Sequence, residues 1–222
     1  MIPISDSIRA HRFPLLNISL IAANIFVFYL QFSAVNPDLF ILQYALIPSQ
    51  INISDFSTFY PFVTAMFLHG GILHIASNML FLWVFGDNVE THFGWLFFLP
   101  VYFISGIVGN AVQYMLNPTS TIPMIGASGA VAGMLGAYYV LFPHARIKTL
   151  IPFFGFFSVI EIPAGFMLGY WFVLQILSGA VSLPMMDSQT GGIAFFAHIG
   201  GFAAGVLFAQ LHPRDKVHSL SS

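Results

Sequence analysis

Long apolar runs separated by short polar breaks dominate the chain and predict helices of membrane-crossing length. Residues 15–32 form the first run. At a rise of about 1.5 Å per residue it nearly spans a hydrocarbon core of about 30 Å. No small-residue cleavage site follows it, so it reads as a retained span rather than a signal peptide. Its polar positions Asn17, Ser19 and Asn24 are expected to face other helices. Residues 33–60 are interrupted by Asp38, Pro48, Asn52 and Asp55, yet Phe40, Tyr44, Phe56, Phe59 and Tyr60 recur along them. That mixture predicts short helices lying in the membrane interface.

Two further runs, 72–89 and 95–116, are joined by a short connection holding Asp87, Glu90 and His92. Residues 117–125, with Pro118 and Pro123, read as a turn region, and the fourth run, 127–142, is rich in small residues. A basic connection, 144–148, follows. From Thr149 to Met186 only Glu161 is charged, and Pro152, Gly155 and Pro163 break the start of the run. This pattern predicts an interfacial entrance followed by a fifth span near 162–180. Residues 182–192 form a loop with Pro184, Asp187, Gly191 and Gly192; the sixth span is 193–211, and a polar tail ends the chain.

Composition agrees with this pattern. The 222 residues are 58% hydrophobic and 6% charged, with mean hydropathy +0.86, whereas soluble domains carry about 25% charged residues. The chain has no cysteine, which excludes disulfides, thiolate catalysis and thiolate-bound metal. The charges fix a topology. Arg9, Arg12, Arg146, Lys148, Arg214 and Lys216 are all of the Lys and Arg. With six spans they fall on one side, which the positive-inside rule makes cytoplasmic. The expected fold is an all-α membrane protein, a six-transmembrane-helix bundle with both termini cytoplasmic. Residues 1–12 form a cytoplasmic N-terminal segment, 13–211 the intramembrane domain and 212–222 a cytoplasmic tail.

Ionisable and polar groups inside such spans are functional candidates. His74 and Asn78 are four residues apart and so share a helix face; His69 lies in the approach to the same span. Ser128 opens the fourth span and His198 the sixth. Counting helical rise back from Arg146, Arg214 and Glu90 puts Ser128, His198 and His74 about 24–27 Å above the charged boundary, at one depth in the outer part of the membrane. Gly129, Gly133 and Gly136 on the fourth span and Gly201-xxx-Gly205 on the sixth form small-residue faces that allow close helix approach. Glu90 and Glu161 sit near cytoplasmic ends, where hydration makes them cheap. Each feature alone also has a structural reading: the serine as a cap, the histidines and Asn78 as polar contacts between helices, the glycines as packing.

Taken together, His74-Ile-Ala-Ser-Asn78, Gly126-Ala-Ser128-Gly129 and Ala197-His198-Ile-Gly-Gly201 resemble the motifs of rhomboid intramembrane serine proteases, in order and on the expected spans. The stretch from Phe81 to Glu90 is similar to the bacterial members, and the resemblance covers roughly residues 13–211. It implies a six-span serine endopeptidase with a Ser-His dyad. Ser128 would be the nucleophile and His198 the general base. The oxyanion would be held by His74, Asn78 and the Ser128 backbone N–H. It also implies that the loop 181–192 caps the site and that the fifth span is a lateral gate. An adjacent base is what an unactivated serine hydroxyl needs. Asn110, Gln113, His69 and Ser128 are expected to line a water-filled cavity.

No cofactor and no metal is implied. The expected partners are single-span or other transmembrane protein substrates and the lipid bilayer, with no nucleic acid and no obligatory protein partner. The expected location is a bacterial cytoplasmic (inner) membrane. Two positions depart from the family pattern: Tyr60-Pro61 stands where some members have Trp-Arg, and Ala132 where some have a tyrosine that packs on the base. Two rival readings remain: a catalytically inactive rhomboid-like protein that binds membrane clients, and a solute or metal transporter using His69, His74, His144 and His198.

Overall fold

A computed structural model describes residues 1–8, 10–153, 156–183 and 194–212. Outside them lie Arg9, Gly155, Arg214, Lys216, the start of the sixth run at Ile193, and all but the first residues of the expected capping loop. Among the described residues the elements run β1 (Ile2–Asp6), α1 (Leu15–Ser33), α2 (Pro37–Tyr44), α3 (Pro61–Thr64), α4 (Ile72–Leu116), α5 (Ser128–Leu141), β2 (Arg146–Phe153), β3 (Phe156–Pro163), α6 (Ala164–Ser182) and α7 (Phe195–Leu211). Helices α1, α4 and α6 are long and apolar enough to cross a membrane. The 45 residues of α4 are two limbs, because Gly94 breaks the helix at φ 66° and ψ 178°, a conformation that only glycine adopts without strain. The predicted connection is therefore shorter than expected. Asp87, Glu90 and His92 lie on the first limb, and Gly94 alone makes the turn.

The bundle is built around α5. From Gly129 to Tyr138 every residue of this helix is buried, so it is surrounded by the two limbs of α4, by α6 and by α7. Glycine sets the spacing on one side. A Cβ on Gly201 would overlap the carbonyl of Gly129, and one on Gly205 the carbonyl of Gly133, while a Cβ on Gly136 would overlap the carbonyl of Phe202. Helices α5 and α7 thus meet backbone to backbone, as small-residue faces permit. Helix α6 is attached more lightly; its buried residues are Ala164, Met167, Leu168 and Gly179.

The expectation of an all-α chain is corrected at the end of the bundle away from Ser128. There, three strands form an antiparallel sheet in the order β1-β2-β3. Thr149 pairs with Pro3 and Ile160, and Lys148 faces Glu161 across the strands. The segment read as an interfacial entrance is a hairpin: its β-branched and aromatic residues favour strands, and buried and exposed positions alternate from Ala145 to Thr149. Ala145, Ile147 and Thr149 are buried against the helices while Arg146 and Lys148 are exposed. Pro3 costs the sheet little on an edge strand, next to a register shift between Pro3 and Ser5.

Polar side chains tie this end together. Asp6 accepts hydrogen bonds from the Tyr138 hydroxyl and from Asn88 Nδ2 (2.8 Å). Burial pushes its carboxyl above the ordinary value of 3.8, and the bonds from Tyr138, the Ile8 amide and Asn88 oppose that shift. Glu90 does more than reach for water: its two carboxylate oxygens accept the Leu16 and Asn17 amides at 3.1 and 2.7 Å, capping the uncapped N-terminus of α1. Asn17 and Asn24 do face other helices, through Leu82 O (3.0 Å) and the Tyr102 hydroxyl (3.4 Å). Ser19 is exposed and bonds back to Leu15 O on its own helix.

At the opposite end, residues 34–67 fold into α2, α3 and short 3₁₀ turns, the short helices that their broken pattern predicts. Tyr60 donates its hydroxyl to Gln43 O (2.6 Å) and Thr64 to Tyr44 O (2.7 Å). Leu46 bridges to Met124. Tyr60, at the position that departs from the family pattern, is thus itself an anchor of this loop.

Candidate active site

Ser128 is the first residue of α5, and the turn that delivers it depends on Gly126. Gly126 has φ 124°, and a Cβ there would sit 2.8 Å from His74 Nε2. Both the backbone conformation and the close approach of the imidazole require glycine. No side chain caps α5, so its first amides keep free N–H groups at the positive end of the helix dipole. The Ser128 hydroxyl is not used as a cap. It lies 2.8 Å from His198 Nε2.

His198 is in the first turn of α7, held opposite Ser128 by the glycine contacts of Gly201 and Gly205 one and two turns below. Gln113 on the second limb of α4 takes the Phe196 amide through its Oε1 (3.2 Å) and steadies the same turn. Two α6 residues absent from the sequence reading complete the surroundings. Gln175 Oε1 is 2.8 Å from His198 Nδ1. The Trp171 ring lies 5.9 Å from the imidazole, centroid to centroid, with the planes inclined at 31°. Trp171 and Gln175 are four residues apart and share a face. The signal was available: a glutamine in an otherwise apolar span must find a partner. A search for ionisable groups passes over it.

His74 is placed by the approach loop. The Gly70 amide donates to His74 Nδ1 (3.2 Å), which leaves the proton on Nε2 and turns a donor toward Gly126 and Ser128. Asn78, one turn on, gives one amide hydrogen to His74 O (3.2 Å). His69 packs its ring edge against His74, centroids 5.1 Å apart. Gln31 of α1 grips the His69 backbone in both directions, at 2.7 and 3.2 Å.

These groups open on a cavity of about 730 Å³ lined by His74, Asn78, Gln113, Ser128, Trp171 and His198 among others. Its size suits a short stretch of extended peptide with water. Of the residues expected to line it, Gln113 and Ser128 do. Asn110 is buried and donates to Phe62 O (2.9 Å), and His69 is fully buried, so both hold the wall from behind. Among the described residues no three His, Asp or Glu side chains form a metal-binding group. A hydroxyl, an imidazole, a second imidazole N–H, a carboxamide and free helix amides around one cavity are suited to acyl transfer.

Comparison with known proteins points to one family. The profile of the Rhomboid domain matches residues 57–214. The chain is 31% identical over 150 residues to "Rhomboid protein 1, mitochondrial" of Saccharomyces cerevisiae, covering 66% of this chain and 40% of that protein. It is 30% identical over 143 residues to "RHOMBOID-like protein 6, mitochondrial" of Arabidopsis thaliana, covering 64% and 40%. It is 43% identical over 75 residues to "Rhomboid protease GluP" of Bacillus subtilis, covering 34% and 14%. The chain thus spans less than half the length of these relatives. With the profile covering most of its length and three membrane-type helices in its fold, the chain belongs to the rhomboid family of membrane proteins.

Proposed function

We propose that this chain is an intramembrane serine endopeptidase that cuts peptide bonds in or near transmembrane segments of membrane-protein substrates. One observation carries the reading: a serine hydroxyl 2.8 Å from an imidazole nitrogen, inside a bundle of membrane-type helices, at the wall of a cavity of about 730 Å³. As the Ser128 oxygen bonds to the scissile carbonyl carbon, His198 Nε2 takes its proton. The carbonyl π pair moves onto oxygen, which meets the His74 Nε2–H, the Asn78 amide and the Ser128 backbone N–H. Donors of this kind are worth about 10²–10³ in rate each. Collapse breaks the carbon–nitrogen bond, and His198 returns the proton to the leaving amine. Water, deprotonated by His198, then hydrolyses the acyl-enzyme.

The six apolar segments are α1, the two limbs of α4, α5, α6 and α7. The sheet pairs the N-terminal strand with the segment after α5, and that end carries Arg12, Arg146 and Lys148. We place it in the cytoplasm by the positive-inside rule, with both termini, and the site toward the opposite face of a bacterial inner membrane. The test is cleavage of a model transmembrane substrate by the purified protein in detergent, with and without chelator. Cleavage lost in Ser128→Ala and untouched by chelator supports a serine protease. Equal cleavage by Ser128→Ala removes the nucleophile assignment. Binding of substrate without cleavage by the wild type replaces the reading with that of an inactive client-binding relative.

A further inference from the structure

We infer that Gln175 is the positioning residue of the histidine base: its carboxamide oxygen accepts the His198 Nδ1 proton and so fixes the tautomer that leaves Nε2 free for Ser128. The inference rests on the serine-hydrolase reading for its kinetic consequence, but its structural content is independent. A neutral imidazole has one donor and one acceptor nitrogen. With Nδ1 2.8 Å from Gln175 Oε1, the proton resides on Nδ1 and the Nε2 lone pair faces the Ser128 hydroxyl at 2.8 Å. The reverse amide orientation would put the imidazole proton on Nε2, pointing at Ser128, and leave the serine without a base.

The physical need for this contact comes from both partners. A carboxamide in an apolar helix needs a hydrogen-bond partner, and an imidazole on its own helix could rotate or exchange tautomers freely. Trp171, one turn before Gln175, packs beside the imidazole with its ring tilted to it, so a single face of α6 both contacts the ring and holds the proton. Ala132, which also lines the cavity, offers the ring nothing comparable. An oxygen acceptor at this place resembles the orienting member of a catalytic triad in position, but it carries no charge. It orients the base without pulling a full negative charge into the membrane.

The test uses the full-length protein in detergent, with Gln175→Leu, Gln175→Glu and, as a control on the same helix, Ser178→Ala. Nitrogen-15 spectra of ring-labelled histidine read the tautomer without any turnover. The Nδ1–H form of His198 is expected in wild type and in Ser178→Ala, and its dominance is expected to be lost in Gln175→Leu. In parallel, kcat and KM on a model substrate, and the rate at which a fluorophosphonate labels Ser128, are measured. Gln175→Leu should lose about 10- to 100-fold in kcat and in labelling rate, the scale seen when the hydrogen-bond partner that orients a metal-ligating histidine is removed, with KM within about twofold. Gln175→Glu keeps an acceptor oxygen and should recover most of that loss.

Wild-type His198 found mainly as the Nε2–H tautomer would overturn the inference. So would Gln175→Leu labelling at the wild-type rate, or Leu and Glu impaired alike together with lowered thermal stability, which would mark a packing role. A wild type that neither cleaves nor labels would sink the protease reading instead, and the spectra would still decide the tautomer.

Discussion

Replacing Gly205 by alanine tests whether the α5–α7 backbone contact sets the geometry of the site. A Cβ built on Gly205 overlaps the Gly133 carbonyl oxygen and lies 2.6 Å from its carbonyl carbon and 2.8 Å from its Cα, where ordinary contact begins at 3.4 Å. The partner is main chain, so no side-chain rotation relieves the clash, and the helices must part by about 1 Å. Overpacking of this kind costs about 1–3 kcal/mol, which corresponds to about 2–12 °C in Tm for a chain of this size. The same displacement reaches Ser128, next to Gly129, and His198, one turn before Gly201. It stretches their 2.8 Å contact beyond hydrogen-bonding range. A misplacement of about 1 Å costs up to about 100-fold in rate. Gly169→Ala is the matched control, because its Cβ would meet only Tyr139 Cε2 at 3.6 Å. Thermal unfolding in detergent and kcat on a model substrate should separate the two variants. Gly205→Ala with wild-type Tm and rate, or Gly169→Ala equally damaged, would show that the α5–α7 contact does not set the site geometry.

Glu90→Ala leaves the Leu16 and Asn17 amides without their acceptor and should cost about 1–2 kcal/mol of stability, read as a lower Tm with little change in KM. Asn78→Ala should lower kcat by about 10²–10³ while substrate binding holds; an unchanged kcat would remove Asn78 from the oxyanion site. Asp6 gives a pH test. Its carboxyl is raised above 3.8 by burial, so the folded state favours the protonated form. The stability this contributes is complete below about pH 3.8 and is lost as pH rises through the raised value. The titratable groups facing Asp6 are Tyr138 and Asp87. The difference in Tm between wild type and Asp6→Asn should therefore shrink or change sign across that interval, and a pH-independent difference would count against it.

How much of this was legible in the sequence varies by element. The long apolar runs became α1, the limbs of α4, α6 and α7 with boundaries a few residues off, because length and composition suffice for helices in lipid. Ser128, His198 and His74 fall at one depth by counting helical rise, Asn78 shares the His74 face one turn on, and the structure brings all four to one cavity. The strands β1, β2 and β3 were not foreseen. The alternation of buried and exposed positions covers only Ala145 to Thr149 before a continuous apolar run begins, and one of the two partners of β2, the strand β1, is distant in the sequence. Gln175 and Trp171 were missed for a different reason. Neither is ionisable, and only the packing of α6 on α7 shows what they touch. Glu90 looked like a hydrated end group because its role depends on where α1 begins in space. Tyr60 shows that a departure from a family pattern can keep the anchoring task with a different hydrogen bond.

The pairing of Ser128 with His198 is tested most directly by mapping, by mass spectrometry, where a fluorophosphonate attaches to the membrane-embedded protein, in wild type and in His198→Ala. One adduct is expected, on Ser128, and its formation should slow by about 10³-fold or more without the imidazole. An adduct on another serine, or one on Ser128 that forms equally fast without His198, would contradict the pairing.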